Sequence, residues 1–147
     1  MGATLWSRVT VLDASALLGF LRDEPSRSQV EAILREPPPP SISAINLAEA
    51  IDQLVRVDGR DPSEVTESID LLFVGGLEVE PFWLPSSRRA AQIRSRFYHR
   101  TRSPISLADC AAIATAIALK AKVATTDGPL AAAARDLGLD VIELPSR

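Results

Sequence analysis

Cysteine and histidine each occur once in the 147-residue chain, as Cys110 and His99. A single cysteine excludes an internal disulfide and a cysteine-rich zinc site, and it is compatible with a reducing cytoplasm. A single histidine leaves little from which to build a His-based metal site or a nucleophilic triad with a His base. Nowhere does the roughly 20-residue apolar run of a membrane span occur, and Met1 to Thr10 carries no signal-like stretch, so the chain reads as soluble, unexported and cytoplasmic. Gly19 and Gly75-Gly76 do not approach a phosphate-binding glycine loop, which argues against nucleotide-driven chemistry. Excess positive charge is missing too: the formal net charge is −3 and the pI about 5.2. A chain of this balance can handle nucleic acid only through local positive charge or a metal.

What is present is 46% apolar and 24% charged residues with only 5% aromatics, a mixture suited to helices packed on a short sheet. The length suits one domain spanning residues 1–147. Val9 to Leu12 is a β-branched run ending at Asp13, and Ala14 to Leu21 follows as a short apolar helix. A helix over Ser26 to Leu34 is stopped by Pro37-Pro38-Pro39-Pro40, a rigid connector. Ser41 to Ser43 reads as a brief strand and Ala44 to Val57 as one helix. Asp61, Pro62 and Glu64 announce a further helix that ends at Gly75-Gly76. Leu77 to Phe82 is a third strand, Pro85 to Tyr98 a helix, Leu107 to Lys120 a helix capped by Ser106, and Val123 to Thr125 a fourth strand. Pro129 to Leu137 and Val141 to Leu144 close the chain as helix and strand. This alternation predicts a three-layer α/β domain with a short, largely parallel sheet, in which ligands bind outside the carboxyl ends of the strands.

Four acids stand out on that frame. Asp13 and Asp127 each directly follow a strand, so parallel pairing brings both to one sheet edge; each also reads simply as the cap of the next helix. Asp109 is the lone carboxylate near the start of an otherwise apolar helix, expensive to bury unless something cationic meets it, although Ser106-x-x-Asp109 also reads as a capping pair. Glu49 falls beside Asp52, Gln53 and Arg56 on the polar stripe of its helix, and a solvated stripe accounts for it when it is read alone.

Taken together, Val11-Leu12-Asp13-Ala14-Ser15-Ala16-Leu17-Leu18, Asn46-Leu47-Ala48-Glu49, Ser106-Leu107-Ala108-Asp109-Cys110-Ala111-Ala112-Ile113-Ala114 and Ala124-Thr125-Thr126-Asp127 resemble, in order, the motifs of the PIN domain. More narrowly, they resemble the toxin subunit of bacterial VapBC toxin–antitoxin pairs. The resemblance spans nearly the whole chain and implies a metal-dependent endoribonuclease, with the acidic quartet on Asp13, Glu49, Asp109 and Asp127 and supporting hydroxyls on Ser15 and Thr125. The basic residue common after the fourth acid is replaced here by Gly128-Pro129. Four carboxylates at such a site repel by about 3 kcal/mol per pair at roughly 5 Å and an effective dielectric near 20. Mg²⁺, or Mn²⁺ with the same oxygen preference, is the expected tenant.

Arg88, Arg89, Arg94, Arg96, Arg100 and Arg102 crowd a stretch that also holds Phe97, Tyr98 and His99, which reads either as an RNA-binding patch with stacking groups or as a solvated helix face. Cys110 reads as a small core residue. The resemblance also implies a homodimer and a small VapB-like antitoxin with a disordered tail. An arginine or lysine of that tail would pair with Asp13 or Asp109 where the metal sits, and its apolar residues would pack near Leu17, Leu21 and Leu54. Two other readings stand beside the nuclease: a catalytically inactive PIN-like module that binds RNA or protein, and a dehalogenase-like phosphatase. The phosphatase usually needs a second Asp two residues after the first, where Ser15 stands.

Overall fold

The computed structural model describes residues 9–146, and the expectation drawn from Met1 to Thr10 falls almost wholly outside them. Five strands, β1 (Thr10–Leu12), β2 (Ser41–Ser43), β3 (Glu78–Glu80), β4 (Lys122–Thr125) and β5 (Val141–Glu143), form one sheet. Their order is β3-β2-β1-β4-β5 and every neighbouring pair is parallel. From β1 the chain winds outward to β2 and β3, then returns to the other side for β4 and β5. The winding therefore reverses between β1 and β4, the place where an open parallel sheet leaves a crevice at its carboxyl edge.

Among the described residues seven α-helices cover the sheet: α1 (Ala14–Leu21), α2 (Arg27–Arg35), α3 (Ala44–Asp52), α4 (Pro62–Val74), α5 (Leu84–Phe97), α6 (Leu107–Leu119) and α7 (Gly128–Asp136). The twofold side-chain alternation of a strand divides the core between them. Val11, Val123 and Val141 face one way, into a cluster with Ile93, Ile113 and Leu130 of α5, α6 and α7. Leu12, Ala124 and Ile142 face the other way, against Leu17, Val30, Leu54 and Ile69 from the side of α1, α2 and α4. These are the three layers expected from the alternation of strand and helix. Cys110 is fully buried in the first cluster, as a small core residue should be.

Local differences have local causes. The helix expected over Ala44 to Val57 remains α-helical only to Asp52, and Gln53–Val57 continues it as a π turn in which the Asp58 N–H reaches the Gln53 carbonyl at 2.9 Å. Ser26 does not cap α2. Its backbone is already helical, and its hydroxyl is buried without a partner against Gly19, where an added Cβ would lie 2.1 Å from Ser26 Oγ. The third strand is shorter than Leu77 to Phe82, because Leu77 enters the core and its N–H closes the turn after α4 by bonding the Leu72 carbonyl. Leu17 and Leu54 are core residues, at 0% and 1% exposure, so neither offers the docking area expected of it, whereas Leu21 is half-buried and lines a small surface pocket with Arg60, Glu64 and Val65.

Candidate active site

Asp13 leaves β1 at the reversal point and caps α1. Its Oδ1 accepts from the Ala16 N–H at 2.9 Å and from the Ser15 hydroxyl at 2.7 Å, and its Oδ2 accepts from Thr125 Oγ1 at 2.5 Å. Thr125 stands opposite because the register pairs Leu12 with Ala124, which places the next residues of β1 and β4 side by side. The two hydroxyls are polarised toward the carboxylate by what they accept: Ser15 Oγ from the Thr126 N–H at 3.0 Å, and Thr125 Oγ1 from the Asp127 N–H at 2.9 Å. With their hydrogens committed to Asp13, Ser15 and Thr125 act as fixed donors that hold one carboxylate orientation. Asp13 is nevertheless 2% exposed, and burial pushes its pKa up to about 6 against those hydrogen bonds, with repulsion from Asp109 adding to the rise.

Asp109 and Asp127 are likewise held by helix starts. Ser106 and Asp109 form a reciprocal capping box, Asp109 N–H to Ser106 Oγ at 3.0 Å and Ser106 N–H to Asp109 Oδ2 at 2.9 Å. Asp127 caps α7 by accepting the Leu130 N–H at 2.9 Å. Burial raises the pKa of Asp109, and the charge of Asp127 raises it further. Glu49 is half-buried rather than solvated. Its carboxyl is raised first by desolvation and then by Asp109, with the Asn46 side chain opposing.

Asn46 is the residue that sequence reasoning left without a role. Its carboxamide accepts from Ser43 Oγ at 2.5 Å and donates to the Ala108 carbonyl at 3.0 Å, tying α3 to the first turn of α6. That bond sets Glu49, one turn along α3, toward Asp109. The available signal was an amide on a helix otherwise rich in Ala, Ile and Leu, where a polar group at 1% exposure needs a structural partner.

The four acids line one open cleft of about 170 Å³ together with Ala14, Ser15, Leu18 and Gln53. Among the described residues no Arg, Lys or His lines it. Among the described residues no three acidic side chains are already gathered as a ready-made ligand group. Asp13, Asp109 and Asp127 are each anchored by a cap, and uncompensated carboxylates repel across the cleft. The donor set is purely oxygen and anionic, with three of the four acids raised by burial and mutual charge. It suits a hard divalent cation.

The six arginines form no part of this wall. Arg88, Arg89, Arg96, Arg100 and Arg102 are exposed on α5 and the loop after it. Arg94 is half-buried, with Nε bonded to the Ile105 carbonyl at 3.2 Å and its guanidinium 4.7 Å from the Tyr98 ring centroid. His99 is a loop residue whose Nδ1 accepts from the Arg102 N–H at 3.0 Å.

A doubly wound parallel sheet with an acidic cleft at its reversal point defines the class of this protein. The PIN domain family model matches residues 10–136, and the chain belongs to that family. Among solved structures it resembles FitAcB from Neisseria gonorrhoeae at 28% identity over 91% of this chain and 96% of that one, TM-score 0.63. It shares its fold with VapBC-1 from nontypeable Haemophilus influenzae at 18% identity over 92% and 97% of the two chains, TM-score 0.68. The same holds for Mycobacterium tuberculosis VapC20, described as a Sarcin-Ricin loop cleaving toxin, at 19% identity over 84% and 94%, TM-score 0.65. Comparison with curated proteins gave no match. Among the described residues no helix is long and apolar enough to cross a membrane.

Proposed function

We propose that the chain is a metal-dependent endoribonuclease acting as the toxin of a toxin–antitoxin pair. The observation that carries this reading is the cleft lined by Asp13, Glu49, Asp109 and Asp127 at the sheet's reversal point, in a chain of the PIN domain family. Asp13 and Asp109 would be the principal holders of Mg²⁺ or Mn²⁺, with Glu49 and Asp127 completing the site directly or through water. When bound, the ion neutralises charge on a phosphodiester and makes a coordinated water nucleophilic. Ser15 and Thr125 keep the Asp13 carboxylate aimed and ionisable, and Asn46 keeps Glu49 facing Asp109. Membership in the family and resemblance to VapC and VapBC structures support RNA as the substrate. Exposed Arg88, Arg89, Arg96, Arg100 and Arg102 offer phosphate contacts outside the cleft.

The partners would be a second copy of the chain and a small VapB-like antitoxin. A toxin–antitoxin complex from Klebsiella pneumoniae and the VapBC structures share the fold. A surface that would suit an antitoxin tail is the groove between α1, α2 and α4, where Phe20, Leu34, Leu71 and Leu72 lie beside Glu31 and Arg35.

Cleavage of a panel of structured RNAs with Mg²⁺, with chelator, and by Asp109→Asn tests the activity. Cleavage that survives chelator or the substitution would contradict the site. RNA binding without cleavage would instead mark an inactive PIN-like module.

A further inference from the structure

One polar side chain in the cleft is not spoken for. Asp13 and Ser15 bond each other, and Asp109 and Asp127 are held by their helix caps. Gln53 lines the same cleft, half-buried, and its carboxamide makes no hydrogen bond among the described residues. Its surroundings make this conspicuous. On the same stretch of chain Asp52 is paired with Arg56, Asp58 with Arg22, and Arg60 with the Leu21 carbonyl.

The backbone of Gln53 is held from both sides. Its N–H bonds the Ala50 and Glu49 carbonyls, and its carbonyl takes the Asp58 N–H across the π turn. Leu54, next in sequence and 1% exposed, anchors the turn in the core. A fixed backbone with an uncommitted amide is a prepared donor, and π turns of this kind recur at functional sites.

The charge of the cleft says what such a donor is for. A phosphodiester approaching four carboxylates meets repulsion, and among the described residues no cationic side chain lines the cleft to offset it. An arginine or lysine there would pair with the acids and compete for their oxygens with a metal. A neutral amide donates to an anionic oxygen without discharging any carboxylate. Ser15 cannot serve, since its hydrogen is committed to Asp13. Resting on the ribonuclease reading, we propose that Gln53 is a positioning residue that donates its side-chain N–H to a phosphate oxygen of the RNA strand lying in the acidic cleft.

The test compares Gln53→Ala, Gln53→Glu and the near-isosteric Gln53→Met in the full chain. Affinity for a fluorescein-labelled random-sequence RNA is measured by anisotropy in an Asp109→Asn background, so that the RNA stays intact; Mn²⁺ affinity and steady-state cleavage are measured with Asp109 present. Loss of one hydrogen bond to a charged oxygen should raise Kd and KM about tenfold in Gln53→Ala, with kcat and Mn²⁺ affinity nearly unchanged. Gln53→Glu should raise KM further while strengthening Mn²⁺ binding. If Gln53→Ala melts at a lower temperature, Gln53→Met keeps the packing and the same comparison decides. Unchanged Kd and KM with Asp109-dependent cleavage intact overturn the role of Gln53 and leave the nuclease reading standing. Mn²⁺ affinity falling in step with RNA affinity also overturns it. Absence of any Asp109-dependent cleavage overturns the nuclease reading, and this inference with it.

Discussion

At the scale of the residue, the site turns small side chains to two uses at once. Asp109 is both a capping residue and a cleft acid, so the two readings of its sequence position are both correct. Asn at this position keeps a carbonyl oxygen for the Ser106 N–H, so Asp109→Asn should retain the helix start while losing the charge. We expect its cleavage rate at saturating Mg²⁺ to fall at least about 100-fold, through loss of metal-assisted charge stabilisation, while the melting temperature of the metal-free protein is equal to or above that of wild type. A wild-type rate would remove Asp109 from the site.

Asp13 makes a second prediction through linkage. Its folded pKa of about 6 lies above the ordinary carboxylate value, so between roughly pH 4 and 6 the folded state holds the proton more tightly than the unfolded chain. The Asp13 contribution to the stability of the metal-free protein should therefore be fully present below about pH 4, be lost as pH rises through 6, and level off above. That loss is about 3 kcal/mol. Asp109 and Glu49, also raised, act with the same sign, while Asp52, Asp58 and Asp61, whose carboxyls their partners hold low, act with the opposite sign. Thermal melts across pH in chelator should show Asp13→Asn gaining stability relative to wild type as pH rises from about 4 to 6; parallel curves would mean that Asp13 is not strained by burial.

At the scale of the element, α1 and α2 meet through a contact without slack. The Ser26 hydroxyl is buried, unpartnered, and occupies the place where a Gly19 side chain would sit. Gly19→Ala should cost about 1–3 kcal/mol by overpacking. Ser26→Ala should be neutral or stabilising, because it removes a buried hydroxyl that bonds nothing. The pair should be non-additive, since Ser26→Ala deletes the clashing atom and leaves Ser26 Cβ 3.5 Å from the new methyl. Chemical denaturation of the two single variants and the double variant measures the coupling. Strict additivity would mean that the helices move apart instead.

At the scale of the whole molecule, the four cleft acids and the arginines of α5 and the following loop occupy separate surfaces. Reversing Arg96 and Arg100 together should weaken RNA binding and flatten its salt dependence, the slope losing nearly one unit per phosphate contact, while Mn²⁺ affinity holds. An unchanged slope would make these arginines a solvated face. The same scale governs the antitoxin groove. Leu71 is 71% exposed in the free chain, so Leu71→Asp should leave folding untouched and reduce co-purification with an antitoxin encoded beside it. Retention of the complex would place the tail elsewhere.

The sequence alone determined what depends on periodicity and local chemistry. Strand and helix alternate visibly along the chain, Pro62 and Gly76 punctuate α4, and acids that follow strands in a parallel sheet must converge on one edge, so Asp13 and Asp127 were placed by topology alone. Glu49 was legible only through resemblance, since a helical stripe does not say which neighbour will cover it. Tertiary structure decided the rest. The packing of α3 on α6 through Asn46 and Ala108 turned Glu49 into the cleft. The π turn after Asp52, with Leu54 drawn into the core, arose from packing that no local propensity reports. Arg94 reads like its neighbours in sequence, yet its Nε bonds the Ile105 carbonyl and its guanidinium lies over the Tyr98 ring, contacts that only the fold sets. Which leucines of α1 and the π turn enter the chain's own core was likewise beyond the sequence, because hydrophobicity states that a side chain will be covered and only the assembled fold states by what.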